Sequence, residues 1–159
     1  MAKDSMQNYI RQAETDVKAK LKEGVDSISK IGEEVKSVKD GVADIPEGLD
    51  ADIAAEVKAV GTEAHDIGIK DIEAVKSSVI DTAKTNAEGI NKDVQSKITD
   101  NTKARGQLEG ITSKYGKDAK ARAMSSLDAN TKMGNDLVNA LKAEIENVGT
   151  TIKNIKDNM

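Results

Sequence analysis

Aliphatic residues recur along this chain at intervals of three and four. The first third shows it best: Ile10, Ala13, Val17, Leu21, Val25, Ile28, Ile31, Val35, Val38 and Val42. That spacing gathers the apolar side chains on one narrow face of a helix and leaves the other faces charged. From Ile28 to Val42 the steps alternate strictly between three and four, which is coiled-coil spacing. A narrow stripe stays in water unless a second helix covers it, so the pattern predicts helices lying side by side. The first arm is predicted over about 4–42, with Asp4 or Ser5 as its N-cap.

The segment 40–50 holds the only proline, Pro46, together with Gly41, Gly48, Asp40, Asp44 and Asp50. Proline removes a helical hydrogen bond and biases Ile45 away from helical angles, so a loop is predicted at 40–50. A connection this short favours an antiparallel hairpin. The second arm, about 50–100, starts from an Asp50 or Asp52 cap with Ile53, Val57, Val60, Ala64 and Ile67 on its stripe. The phase slips at 65–71, around Gly68, so the arm either kinks there or runs on as one helix. Beyond the slip the stripe resumes as Ile72, Val75, Val79, Ala83, Ala87, Ile90, Val94 and Ile98. Asp100 through Gly110 is the second predicted turn. The third arm, about 107–157, carries Leu108, Ile111 and Tyr115, then small residues, then Leu127, Val138, Leu141, Ile145, Val148, Ile152, Ile155 and Met159.

No stretch alternates with period two, so the expected class is all-α. The predicted architecture is an elongated antiparallel helical bundle or coiled coil of three long arms, one domain over 1–159. Its expected seams are Ile10, Val17, Leu21, Ile28, Ile31, Val35, Val38, Ile72, Val79, Ile90, Val138, Leu141, Ile145, Val148, Ile152 and Ile155. Gly24, Gly61, Gly89, Gly134 and Gly149 fall inside predicted helices, where each costs roughly 1 kcal/mol against alanine. Gly24 and Gly134 lie on or beside the stripe, where a missing Cβ permits close approach of two backbones; tolerated exposed glycine is the alternative.

Composition narrows the partners. The net charge is -4 with both signs interspersed, and there is no Phe or Trp, so neither a phosphate-neutralising block nor a stacking surface for nucleic acid is present. Without aromatics the core falls to Ile, Val, Ala and a few Leu and Met, and association is expected to supplement a thin interior. Absent cysteine excludes disulfides and thiolate metal sites. The polar start, Met1–Tyr9, lacks the apolar run of a cleavable secretory signal. Either the cytoplasm or export by a route needing no such signal fits.

Candidate chemistry is sparse. His65 is the single histidine; Glu63 and Asp66 beside it are spaced so that the three do not converge on one helix face, which argues against a metal site. The acidic loop Asp40, Asp44, Glu47, Asp50, Asp52 does not match a calcium-loop pattern. A Gly106–Gly110 stretch lacks the lysine and strand of a phosphate loop. Nothing calls for a cofactor, and a non-enzymatic chain is expected. Glu14–Lys18 and Asp16–Lys20 are expected i,i+4 ion pairs. Tyr9 and Tyr115 sit beside stripe positions as packing or interface anchors.

The composition, rich in Ala, Asp, Lys, Ile, Ser, Thr and Asn and devoid of Cys and Trp, resembles that of bacterial proteins secreted without a cleaved signal, such as flagellin-like filament subunits and helical-hairpin secretion substrates. Such hairpins usually bear a W-x-G turn and a Y-x-x-x-[DE] tail; here Tyr9 is followed four residues on by Ala13, and Tyr115 by Ala119. The expected function is therefore a structural or interaction protein, pairing amphipathic helices with itself, as a homo-oligomer, or with a helical partner. The alternative is a peripheral membrane protein laying the same helices on a lipid surface, which the net negative charge disfavours.

Overall fold

The structure, a computed structural model, describes residues 2–46, 48–110 and 116–159. Glu47, Ile111 and Tyr115, named above, lie outside the described residues. Every regular element among the described residues is a helix: α1 (Ala2–Ala43), α2 (Ala51–Val75), a π-helical segment (Lys76–Ile80), α3 (Asp81–Glu109) and α4 (Lys117–Asn158). The fold is an all-α helical bundle, as the periodicity predicts.

The boundaries differ from the expected ones in instructive ways. α1 begins at Ala2, which places Asp4 and Ser5 inside it and not at its N-terminal boundary. It also continues through Gly41 to Ala43, and the loop starts at Asp44. Gly48 has a φ of +92°, a left-handed turn conformation that glycine adopts without steric cost. Asp50 is the cap of α2: its side chain accepts from the Asp52 amide at 3.0 Å. No turn forms at 100–106. α3 runs on to Glu109, and within its polar stretch the Thr99 and Thr102 hydroxyls donate to the carbonyls of Gln95 and Ile98, which satisfies them without breaking the helix. Arg105 adds a 2.8 Å bridge to Asp128 of α4 and a contact to Glu109. The third arm consequently starts at Lys117, and Leu108 belongs to the second.

The chain divides into two compact units: Met1–Lys18 with Lys84–Glu144, and Ala19–Ala83 with Ile145–Met159. In the first, Leu137, Val138, Leu141, Ala87 and Val94 are buried with Ile10, Ala13 and Val17 of α1. Gly134 of α4 sits against Val94 and Ile98 of α3, where an added Cβ would be 2.9 Å from Val94 Cγ1. Arg105 meets Asp128, so residue numbers rise along one helix as they fall along the other, which makes α3 and α4 antiparallel.

In the second unit Leu21, Ile28, Val35, Ile72, Ile80, Val148 and Ile152 form the core. Gly24 abuts Ile80, Val35 abuts Gly68, and Val42 abuts Gly61. This descending order makes α1 antiparallel to α2. Gly32 abuts Ile155, and the Lys39 ammonium donates to the Met159 carbonyl, so α4 runs parallel to α1. Glu73 and Lys156 join α2 to α4.

The π segment explains the phase slip. Helix α2 stays continuous through 65–71, where Gly68 is a contact point and not a break. From Gly68 to Ile80, both facing α1, is twelve residues. In an ideal α-helix that step would rotate Ile80 roughly 120° off the shared face. Absorbing one residue in the wider turn at Lys76–Ile80 returns it to about 20°. The slip read at 65–71 is thus taken up one to two turns later.

Candidate interaction face

The sixteen expected seam residues divide by where the bundle leaves them. Ile10, Val17, Leu21, Ile28, Val35, Ile72, Val138, Leu141, Val148 and Ile152 are buried within the units. Ile31, Val79, Ile90, Ile145 and Ile155 are half-buried, and Val38 is exposed. Close approach accounts for Gly24 and Gly134, as the stripe positions suggest, whereas Gly89 and Gly149 face open space. Of the expected ion pairs, Glu14–Lys18 forms at 2.8 Å, and the hydrogen bond that the Lys18 ammonium donates to Glu14 raises its pKa above the ordinary value. Asp16 and Lys20 do not pair: Asp16 accepts from Gln12 and Lys20 turns to Glu23 at 3.3 Å. Tyr9 lies under the Lys97 ammonium, 5.8 Å from the ring centre.

Large apolar side chains left in water gather on α2: Ile53 is 48% exposed, Val60 51% and Ile67 51%. They stand at seven-residue spacing, with the half-buried Val57 and Ala64 between them. Each of Val60 and Ile67 immediately precedes a glycine that meets α1, so each lies about 100° round the helix from that contact. The side can be identified from the neighbours. Gly32 and Lys39 of α1 turn towards α4, while Ile31 and Val38 turn the other way from the Val35–Val42 row. On α2, Lys58, Thr62 and His65 line the α4 side, and Val60 and Ile67 the opposite one. Ile31 and Val38 therefore join Ile53, Val60 and Ile67 in a groove between α1 and α2, on the side away from α4.

On the α4 side a cleft of about 550 Å³ opens among Lys39, Val42, Ile45, Lys58, Thr62 and His65. Its floor is apolar and its rim cationic. His65 Nδ1 is 3.7 Å from the Asp66 carboxylate, and the histidine is on the same face as Thr62, one turn earlier. Glu63 is exposed on another face, so Glu63, His65 and Asp66 do not converge. Among the described residues no group of three His, Cys, Asp or Glu side chains is placed to hold a metal, and no helix is long and apolar enough to cross a membrane. No family model matches this sequence, and neither a curated protein nor a solved structure is significantly similar to it.

The sequence already placed Ile53, Val60 and Ile67 on a stripe but could not show that this stripe stays open. The signal was present in Gly61 and Gly68. Two glycines at a seven-residue step mark the face that meets α1, and the aliphatics one position before them must then face elsewhere.

Proposed function

We propose that the protein is a non-enzymatic interaction module, in which the hairpin of α1 and α2 presents an apolar groove that pairs with an amphipathic helix. One observation carries this reading. Helix α2 puts glycine at its contacts with α1 and leaves large aliphatics at its exposed positions. A helix serving only to close the hairpin would do better with the reverse. Each interior glycine costs roughly 1 kcal/mol of helix stability, and each half-exposed Ile or Val forgoes about 1 kcal/mol of burial. Recruiting another helix recovers the second of these costs, in the helix-in-groove mode of recognition.

Light scattering over a concentration series, together with binding of labelled amphipathic helical peptides of either flanking charge, tests the reading. Self-association or peptide binding is expected, in either case weakened by the double variant Val60→Asp/Ile67→Asp. A chain that stays monomeric throughout, and binds no amphipathic peptide, would refute it.

A further inference from the structure

We propose that the groove between α1 and α2 receives a partner helix whose apolar stripe is bordered by lysines and arginines. The inference rests on the interaction reading above and adds the chemistry of the occupant.

The apolar row sets the shape. Ile53 to Ile67 covers two seven-residue steps, on the order of 21 Å of helix, with Ile31 and Val38 on the opposite wall. A rod with anchors at i, i+3, i+4 and i+7 fits that row.

The charges set the partner. Glu56 and Glu63 border the stripe on its outer side, Glu34 borders it on α1, and Asp71 continues it one turn beyond Ile67; all four are exposed. None of them forms an ion pair among the described residues. The basic residues on this side are Lys30 on α1 and Lys70, one seven-residue step beyond Glu63 on the same edge of α2, so acids outnumber bases along the row by four to two. Helix α2 carries six acids against two lysines, so its own charge equals the net -4 of the chain and the remainder balances. Acid residues alone would be ordinary solubilising charge. Their placement along both edges of an open aliphatic row is what selects an occupant. A second copy docked by this same face would set one net-acidic edge against another, and an anionic membrane would meet the same repulsion. A helix with basic flanks gains attraction on both edges.

Two synthetic helical peptides with the same leucine heptad stripe, one flanked by lysine and the other by glutamate, are titrated against the full chain by fluorescence anisotropy. The lysine-flanked peptide is expected to bind at least about tenfold tighter, and less tightly as salt rises. Val60→Asp separates this site from general attraction to an acidic protein. It makes the face more negative yet removes the apolar row, and is expected to weaken binding at least about tenfold. Glu56→Lys/Glu63→Lys is expected to reverse the preference between the two peptides. Both variants alter exposed positions, and an unchanged thermal midpoint by circular dichroism confirms that they fold. Equal binding of the two peptides, binding that survives Val60→Asp, or no binding of the lysine peptide would overturn the proposal. If light scattering instead finds a dimer broken by Ile67→Asp, the occupant is a second copy; the basic-partner proposal then falls while the interaction reading stands.

Discussion

Replacing Gly68 by alanine tests the closest approach of α1 and α2. A Cβ built there collides with Val35 Cγ2 and lies 3.0 Å from Met159 Cε. The methionine tip can swing aside. Val35 cannot, because a β-branched side chain in a helix is held largely to one rotamer and its second methyl would take the place of the first. The helices must separate, and overpacking of this kind costs about 1–3 kcal/mol. Against that stands a gain of roughly 1 kcal/mol from exchanging glycine for alanine in a helix interior. Gly149, in α4 of the same unit and with nothing near it, supplies the gain without the clash. We therefore expect Gly149→Ala to stabilise and Gly68→Ala to be neutral or destabilising, a gap of about 2 kcal/mol. That corresponds to about 4–8 °C between midpoints for a chain of this size. Thermal melts followed by the helical dichroism signal read it directly. Val35→Ala should cost about 2 kcal/mol alone, since Val35 is buried, but should relieve the clash in the double variant. The two substitutions should then fall short of additivity by about 1–2 kcal/mol. Equal stabilisation by the two alanines, or strict additivity with Val35→Ala, would refute the proposed packing.

Three further outcomes are expected. Deleting Ser77, exposed within the π segment, removes the extra residue and should leave a folded α-helix, with a midpoint shifted by only a few degrees. Deleting Ser96 from α3 should instead rotate Ile98 about 100° away from Gly134 and cost more than about 2 kcal/mol, as thermal melts of both variants would reveal. The hydrogen bond from Lys156 holds the Glu73 carboxyl below its ordinary 4.5, so the pair's contribution is complete above that value. It is lost as pH falls through the lowered value in the folded chain, so urea midpoints of wild type and Glu73→Gln should converge in acid. Asn130 Oδ1 is buried without a hydrogen-bond partner, so Asn130→Leu should stabilise by about 1 kcal/mol in urea titration.

The helices were legible because a three- and four-residue rhythm has one physical solution. Their ends are less so, because the helix propensity of a glycine says nothing of what packs against it. Gly106 reads as a terminator, yet Arg105 ties the same turn to Glu109 and Asp128, and the helix continues. At Gly68 the pattern leaves a kink and a continuous helix equally open, and the helix runs on because Val35 packs there. Propensity counts what a residue costs its own helix, and a neighbouring helix can repay that cost through contact. The same limit explains why an inner seam and an outer one look alike in sequence.

Val60 and Val35 illustrate this. Both are aliphatic and both sit in a heptad-like row, but Val35 is 5% exposed and Val60 51%. What separates them is the residue each faces. Val35 packs on a glycine of α2, so its methyls reach the opposing backbone; Val60 stands beside that glycine row and stays half exposed. A bundle without Phe or Trp fills its interior by drawing backbones together, which makes glycine the contact residue and pushes the aliphatics that flank it outward. How the hairpin closes therefore fixes which side of α2 stays open, but closure alone does not require the open positions to be aliphatic. The heptad spacing of the aliphatics there and their acidic borders then determine what chemistry can cover them.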